Sequence, residues 1–134
     1  MSEPVEIRDK LRQQALTLPG AWEDYPWEEV VVKVNKKVFL FLGVGESGEW
    51  PMAFTVKLDD SHEQALALSG SEPSGYGLGR FGWVWIRFEQ DLPPDEVLYD
   101  WVEESYRLIA PKRLIAELDA DRRNTDSEPF HALD

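Results

Sequence analysis

Hydrophobic positions change period several times along this chain, and each change marks an element. Ile7, Leu11, Ala15 and Leu18 recur at helical spacing. They form the stripe of an amphipathic helix, with Ser2 available as its cap and Pro4 suited to its first turn. The "LPG" at 18–20 ends it, and "AWEDYPWEE" reads as an aromatic-rich connection. "VVVKV" (30–34) and "VFLFLG" (38–43) flank a short polar "NKK" and predict a β-hairpin. After "GVGESGEWP", rich in glycine and acid, "AFTVKL" (53–58) alternates like a third strand. "DDSHEQALALSG" predicts a short helix, with Ser61 and Gln64 at capping-box spacing and Gly70 closing it. "SEPSGYGLGRFG" is a glycine-rich loop, and "WVWIRF" (83–88) alternates with period two. Pro94 and the acids behind it open a long helix whose inner stripe is Leu98, Trp101, Val102, Ser105 and Ile109. Pro111 breaks that helix, and "KRLIAEL" predicts a short last one. Residues 119–134 are polar and aperiodic, a flexible tail beyond a single domain at 1–118.

Tight hairpins cannot join parallel strands. The expected fold is therefore α+β: a two-layer sandwich, its sheet mainly antiparallel and backed by the N- and C-terminal helices. Alternation then sorts the strands into faces. Val30, Val32, Val34, Phe54, Val56, Leu58, Val84, Ile86 and Phe88 share the helix-facing set. Val31, Lys33, Thr55, Lys57, Trp83, Trp85 and Arg87 share the other. The second hairpin strand is open: a three-residue loop puts Val38, Leu40 and Leu42 inside, and a two-residue loop puts Phe39 and Phe41 there.

Residues 77–82, Gly-Leu-Gly-Arg-Phe-Gly, match G-x-G-x-x-G. A dinucleotide site needs a strand before those glycines and a helix N-terminus after them. Here a strand follows, so the match reads as a loop in which glycine permits positive φ.

The 134 residues include six Trp, six Phe and four Tyr, and 43% are apolar, which is a globular composition. There is no cysteine, which excludes disulfides and thiolate metal sites. No run approaches the length of a membrane span, and the N-terminus lacks a signal-peptide pattern, so a cytoplasmic, membrane-free protein is expected. The net charge of −12 repels phosphate backbones at long range. A local basic patch still acts within a Debye length of about 10 Å.

No H-E-x-x-H, P-loop or G-x-S-x-G occurs, and His62 and His131 have no cysteine partner. Ser105 lies on an inner helix stripe, where a backbone carbonyl is its expected partner. The expectation is a non-enzymatic protein without catalytic residues, cofactor or metal. The acid pairs Glu23-Asp24, Glu28-Glu29, Asp59-Asp60 and Asp95-Glu96 read as solvated faces.

Several stretches together resemble the MmcQ/YjbR family of small bacterial proteins. They are "LPGAWEDYPW" (18–27), "KVFLFL" (37–42), "FTVKL" (54–58), Arg80 with "WVWI" to 86, and "DEVLYDWVEESYRLIAPK" (95–112). The resemblance implies a CyaY/frataxin-like fold and a DNA-binding role through a "double-wing" motif. The loop at 43–50 departs from it, carrying Glu46 and Glu49 where a DNA-touching wing favours lysine.

The outer face combines indoles with cations, a pairing that stacks unpaired bases and holds phosphates, or anchors a protein partner. Candidate DNA- or partner-binding residues are Lys33, Lys57, Trp83, Trp85 and Arg87 on that face, Lys36 and Lys37 at the hairpin tip, and Arg80. Three readings stand: a DNA-binding protein, a protein-interaction module using the same face, and an enzyme or small-ligand binder with a deep pocket. Arg107, Lys112 and Arg113 sit near helix ends, where they complement the C-terminal dipole.

Overall fold

In a computed structural model, residues 4–26, 29–44, 53–75 and 77–132 are described, those from 124 onward as helix backbone only. The Ser2 cap, the loop acids Glu46 and Glu49, and the His131 side chain lie outside the described residues. The chain runs α1 (Pro4–Leu16), β1 (Ala21–Asp24), β2 (Glu29–Val34), β3 (Lys37–Val44), β4 (Ala53–Lys57), α2 (His62–Leu66), β5 (Ser71–Pro73), β6 (Trp83–Arg87), α3 (Asp95–Ile109) and α4 (Lys112–Ala132). The strands form one antiparallel sheet in the order β1-β2-β3-β4-β6-β5. The fold is α+β, and the helix-facing set is as the alternation predicts: each of its members belongs to one buried core with Ile7, Leu11, Leu98, Trp101 and Val102.

Two strands were hidden in segments read as connections. β1 pairs Ala21 with Val34 and Asp24 with Val31, and β5 pairs Ser71 with Ile86. Both are short edge strands, too brief and too polar for a period to show. β1 is held from both sides: Arg12 of α1 donates two hydrogen bonds to Glu23 at 2.6 and 2.7 Å, and Lys33 of β2 pairs with Asp24 at 2.7 Å.

The hairpin has the two-residue loop, but its second strand does not keep the facing that loop implies. Val34 pairs with Lys37 across a two-residue turn, in which Asn35 takes φ 56°. Val32 pairs with Leu40 and Lys33 with Val38, which leaves Phe39 as an extra residue, a β-bulge. The bulge shifts the phase, so Phe39, Leu40 and Leu42 are all buried while Val38 and Phe41 turn to the other face. A second irregularity falls near Gly43, whose φ is 77°.

The bulge also ends the β3–β4 ladder, which pairs only Leu40 with Val56 and Phe41 with Thr55. Beyond it α3 supplies the missing partners. The fully buried Ser105 hydroxyl donates to the Phe39 carbonyl at 2.6 Å and accepts from the Lys57 N–H at 3.0 Å. Its carbonyl partner is thus on a strand, not on its own helix. From the next residue, the Tyr106 hydroxyl donates to the Pro19 carbonyl at 2.6 Å, and its ring meets Phe39 edge to face at 5.3 Å.

The capping box at Ser61 does not form. The Ser61 hydroxyl instead donates to Glu104 of α3 at 2.8 Å, and the other Glu104 oxygen accepts from the N–H groups of Asp59 and Ser61. A carboxylate from another helix therefore fixes the backbone that leads into α2. The backbone of 119–132, expected as an irregular tail, continues α4 as helix. Two arginines tie this helix back onto α3: Arg107 bonds Glu103 and Asp119, and Arg122 bonds Glu103.

Candidate functional site

The face of the sheet turned from the helices carries rows of cross-strand neighbours. One row runs Asp24, Val31, Phe41, Thr55, Trp85 and Glu72. Another joins Trp22, Lys33 and Val38 on one side of the β3–β4 gap to Lys57 and Trp83 on the other. The indoles and cations therefore share a face, but that face is not open throughout. Val31 is 0% exposed and Thr55 7%, and Phe41, Trp83 and Trp85 are half-buried. Phe41 and Trp83 meet edge to face at 5.5 Å.

The structure divides the eight candidate residues. Lys33 is tied down, paired with Asp24 and lying 5.2 Å from the centre of the Trp22 ring. Its ammonium holds the Asp24 carboxyl below its ordinary pKa. Trp85 and Arg87 stack on one another at 5.7 Å at the far end of β6. The other five, Lys36, Lys37, Lys57, Arg80 and Trp83, gather at the end of the sheet where β3 and β4 part.

Three depressions run together there. The first, about 780 Å³, lies between the hairpin tip and the α3–α4 joint and is walled by Val34, Asn35, Lys36, Lys37, Ile109 and Pro111. The second, about 360 Å³, has Val38, Phe41, Leu78, Trp83, Leu108 and Ile109 between Lys37 and Lys57. The third, about 570 Å³, includes Lys57, Arg80, Phe81 and Leu108 together with Asp59, Asp60, His62 and Glu63. Lys37 and Ile109 are common to the first two, Lys57 and Leu108 to the last two. The result is one interrupted groove, its first two depressions floored mainly by apolar residues and its third by charged ones.

Ion pairing separates these cations from the rest. Lys10, Arg12, Lys33, Arg107 and Arg122 are each bound to a carboxylate. Lys36, Lys37, Lys57, Arg80, Lys112 and Arg113 form no ion pair with another described residue. Four of these six line the groove, and Lys112 and Arg113 directly follow Pro111 in its wall. In a protein of net charge −12, cations without an ion pair to another described residue thus gather at one end of the sheet.

The glycine motif shapes the third depression. Gly77 and Gly82 take φ 78° and 95° on either side of a 3₁₀ turn, Leu78–Phe81. A strand follows the glycines, so the helix that a dinucleotide fingerprint requires directly after them is missing. The turn holds Phe81 57% exposed, with the Arg80 guanidinium 5.0 Å from its ring centre.

Sequence reasoning missed Phe41, Leu108 and Ile109. Phe41 depends on the bulge. Leu108 had a visible signal: it is a large apolar residue off the buried stripe of α3, and it is 41% exposed. Among the described residues no group of three or more His, Asp or Glu gathers to hold a metal ion, and no helix is long and apolar enough to cross a membrane.

A protein-family model described as YjbR matches residues 16–108, which includes the whole floor of the groove apart from Ile109 and Pro111. No curated protein matches the chain.

Proposed function

The chain belongs to the YjbR family, and from that premise we propose that it is a non-enzymatic DNA-binding protein that grips the nucleic acid at the hairpin end of its sheet. The observation that carries this reading is the gathering along one groove of cations that form no ion pair with another described residue. Phosphates would lie against Lys36 and Lys37 of the hairpin and Lys112 and Arg113 of α4, with Lys57 deeper in the cleft. The acids Asp59, Asp60 and Glu63 in the third depression oppose phosphate there, so the backbone path runs from the hairpin only as far as Lys57. At physiological salt the Debye length of about 8 Å lets this end act largely apart from the acidic remainder.

The test is fluorescence anisotropy with labelled DNA at about 50 mM salt. Converting Lys36, Lys37 and Lys57 to Gln should weaken binding by more than about tenfold. Converting the ion-paired Lys10 and Arg122 to Gln should weaken it far less. Equal loss in both sets, or no binding by the unaltered protein, contradicts the reading. The exposed Phe81 and Leu108 favour a second reading, a protein-interaction surface at the same groove. That reading gains if DNA fails to bind.

A further inference from the structure

We infer that the nucleic acid taken by this groove is single-stranded, with one unpaired base seated in the recess between Lys37 and Lys57. The inference rests on the DNA-binding reading and narrows it. The recess holds about 360 Å³, room for a flat heterocycle. Its floor is aromatic, since Phe41 and Trp83 meet there at 74°. Both rings are half-buried and line the recess, where a planar guest can meet them. Lys37 of β3 and Lys57 of β4 both line it, so the phosphates of a strand with a seated base would find cations.

A duplex cannot use this arrangement. Its bases are stacked and paired, and only their edges face the grooves. Seating one in the recess would require extruding it, at a cost of a few kcal/mol. An unpaired strand presents its bases without that cost, and stacking on an aromatic floor is sequence-tolerant because every base has a π-face. The recess exists because β3 and β4 part beyond Leu40 and Val56 and α3 fills the gap from behind with Ser105, Leu108 and Ile109.

The experiment compares three labelled probes of equal length, about 20 nucleotides: oligo-dT, an abasic strand with the same phosphates, and an oligo-dT·dA duplex. Oligo-dT should bind about tenfold more tightly than the abasic strand, and more tightly than the duplex. Trp83→Leu should erase the preference for oligo-dT over the abasic strand. Equal binding of oligo-dT and the abasic strand, or tighter binding of the duplex, overturns base seating yet leaves DNA binding intact. Failure of every probe to bind overturns both.

Discussion

Replacing Ser105 with Ala tests how the site is built. The side chain is 0% exposed and serves two backbone groups that the β3–β4 ladder leaves without partners. Its loss strands the Phe39 carbonyl and the Lys57 N–H. Each unsatisfied buried group costs about 1–3 kcal/mol. Water from the adjoining recess would recover part of this, which sets the expectation at about 2–4 kcal/mol for the pair. With a urea m-value of about 2 kcal/mol/M, the unfolding midpoint should fall by about 1–2 M. Equilibrium urea denaturation followed by tryptophan fluorescence reads this directly. A loss below about 0.5 kcal/mol, the range of a neutral surface change, would show that the strands do not depend on Ser105 where they part.

Other expectations follow from single contacts. Gly82→Ala forces a side chain onto φ 95° and places its Cβ 2.6 Å from the Leu58 carbonyl oxygen, so thermal unfolding should show a loss of about 2 kcal/mol or more. Gly75→Ala meets nothing within 4 Å and should stay within about 0.5 kcal/mol, and equal effects at the two positions would contradict the geometry. The α3–α4 tie should loosen in acid. Burial pushes the Glu103 pKa up, but hydrogen bonds from Arg122 and Arg107 outweigh it and leave it below the ordinary 4.5. The Arg107 hydrogen bond likewise holds Asp119 below 3.8. Depressed carboxylates contribute stability above their unfolded pKa and lose it as pH falls through the folded one. Amide NMR signals of 112–123 should therefore hold down to about pH 4.5 and change below it, whereas undocking at higher pH would refute the tie.

The sheet's phase was legible because Phe54 to Leu58 and Val84 to Phe88 alternate without interruption and the neighbouring Val30, Val32 and Val34 fall in phase with them, although Val31 is buried on the other face as well. Phe39 was not legible. A bulge adds one residue and reverses the parity beyond it, and no local pattern in "VFLFL" marks where that happens. The edge strands β1 and β5 owe their pairing to neighbours, Arg12 and Lys33 for one and β6 for the other, so their own residues say little. The glycine loop was readable as a non-nucleotide turn because Trp83 to Phe88 could only be a strand. Five of the eight candidate residues converge because hairpin tip, strand end and 3₁₀ turn meet where β3 and β4 part. Lys33 stays apart because Asp24, on a strand the sequence did not reveal, holds it. Which cations are neutralised depends on long-range partners such as Glu23, Asp24 and Asp119. Charge counts along the chain therefore could not find the unpaired cluster.

The most direct measurement is the salt dependence of binding to a labelled single strand. Each phosphate neutralised contributes about −0.7 to the slope of log K against log salt for single strands. Contact with most of the unpaired cations should give a slope of about −3 to −4, and the variant with Lys36, Lys37 and Lys57 converted to Gln should flatten it by about 2. A slope near zero, or one unchanged in that variant, would contradict the claim that this end of the sheet is where DNA is held.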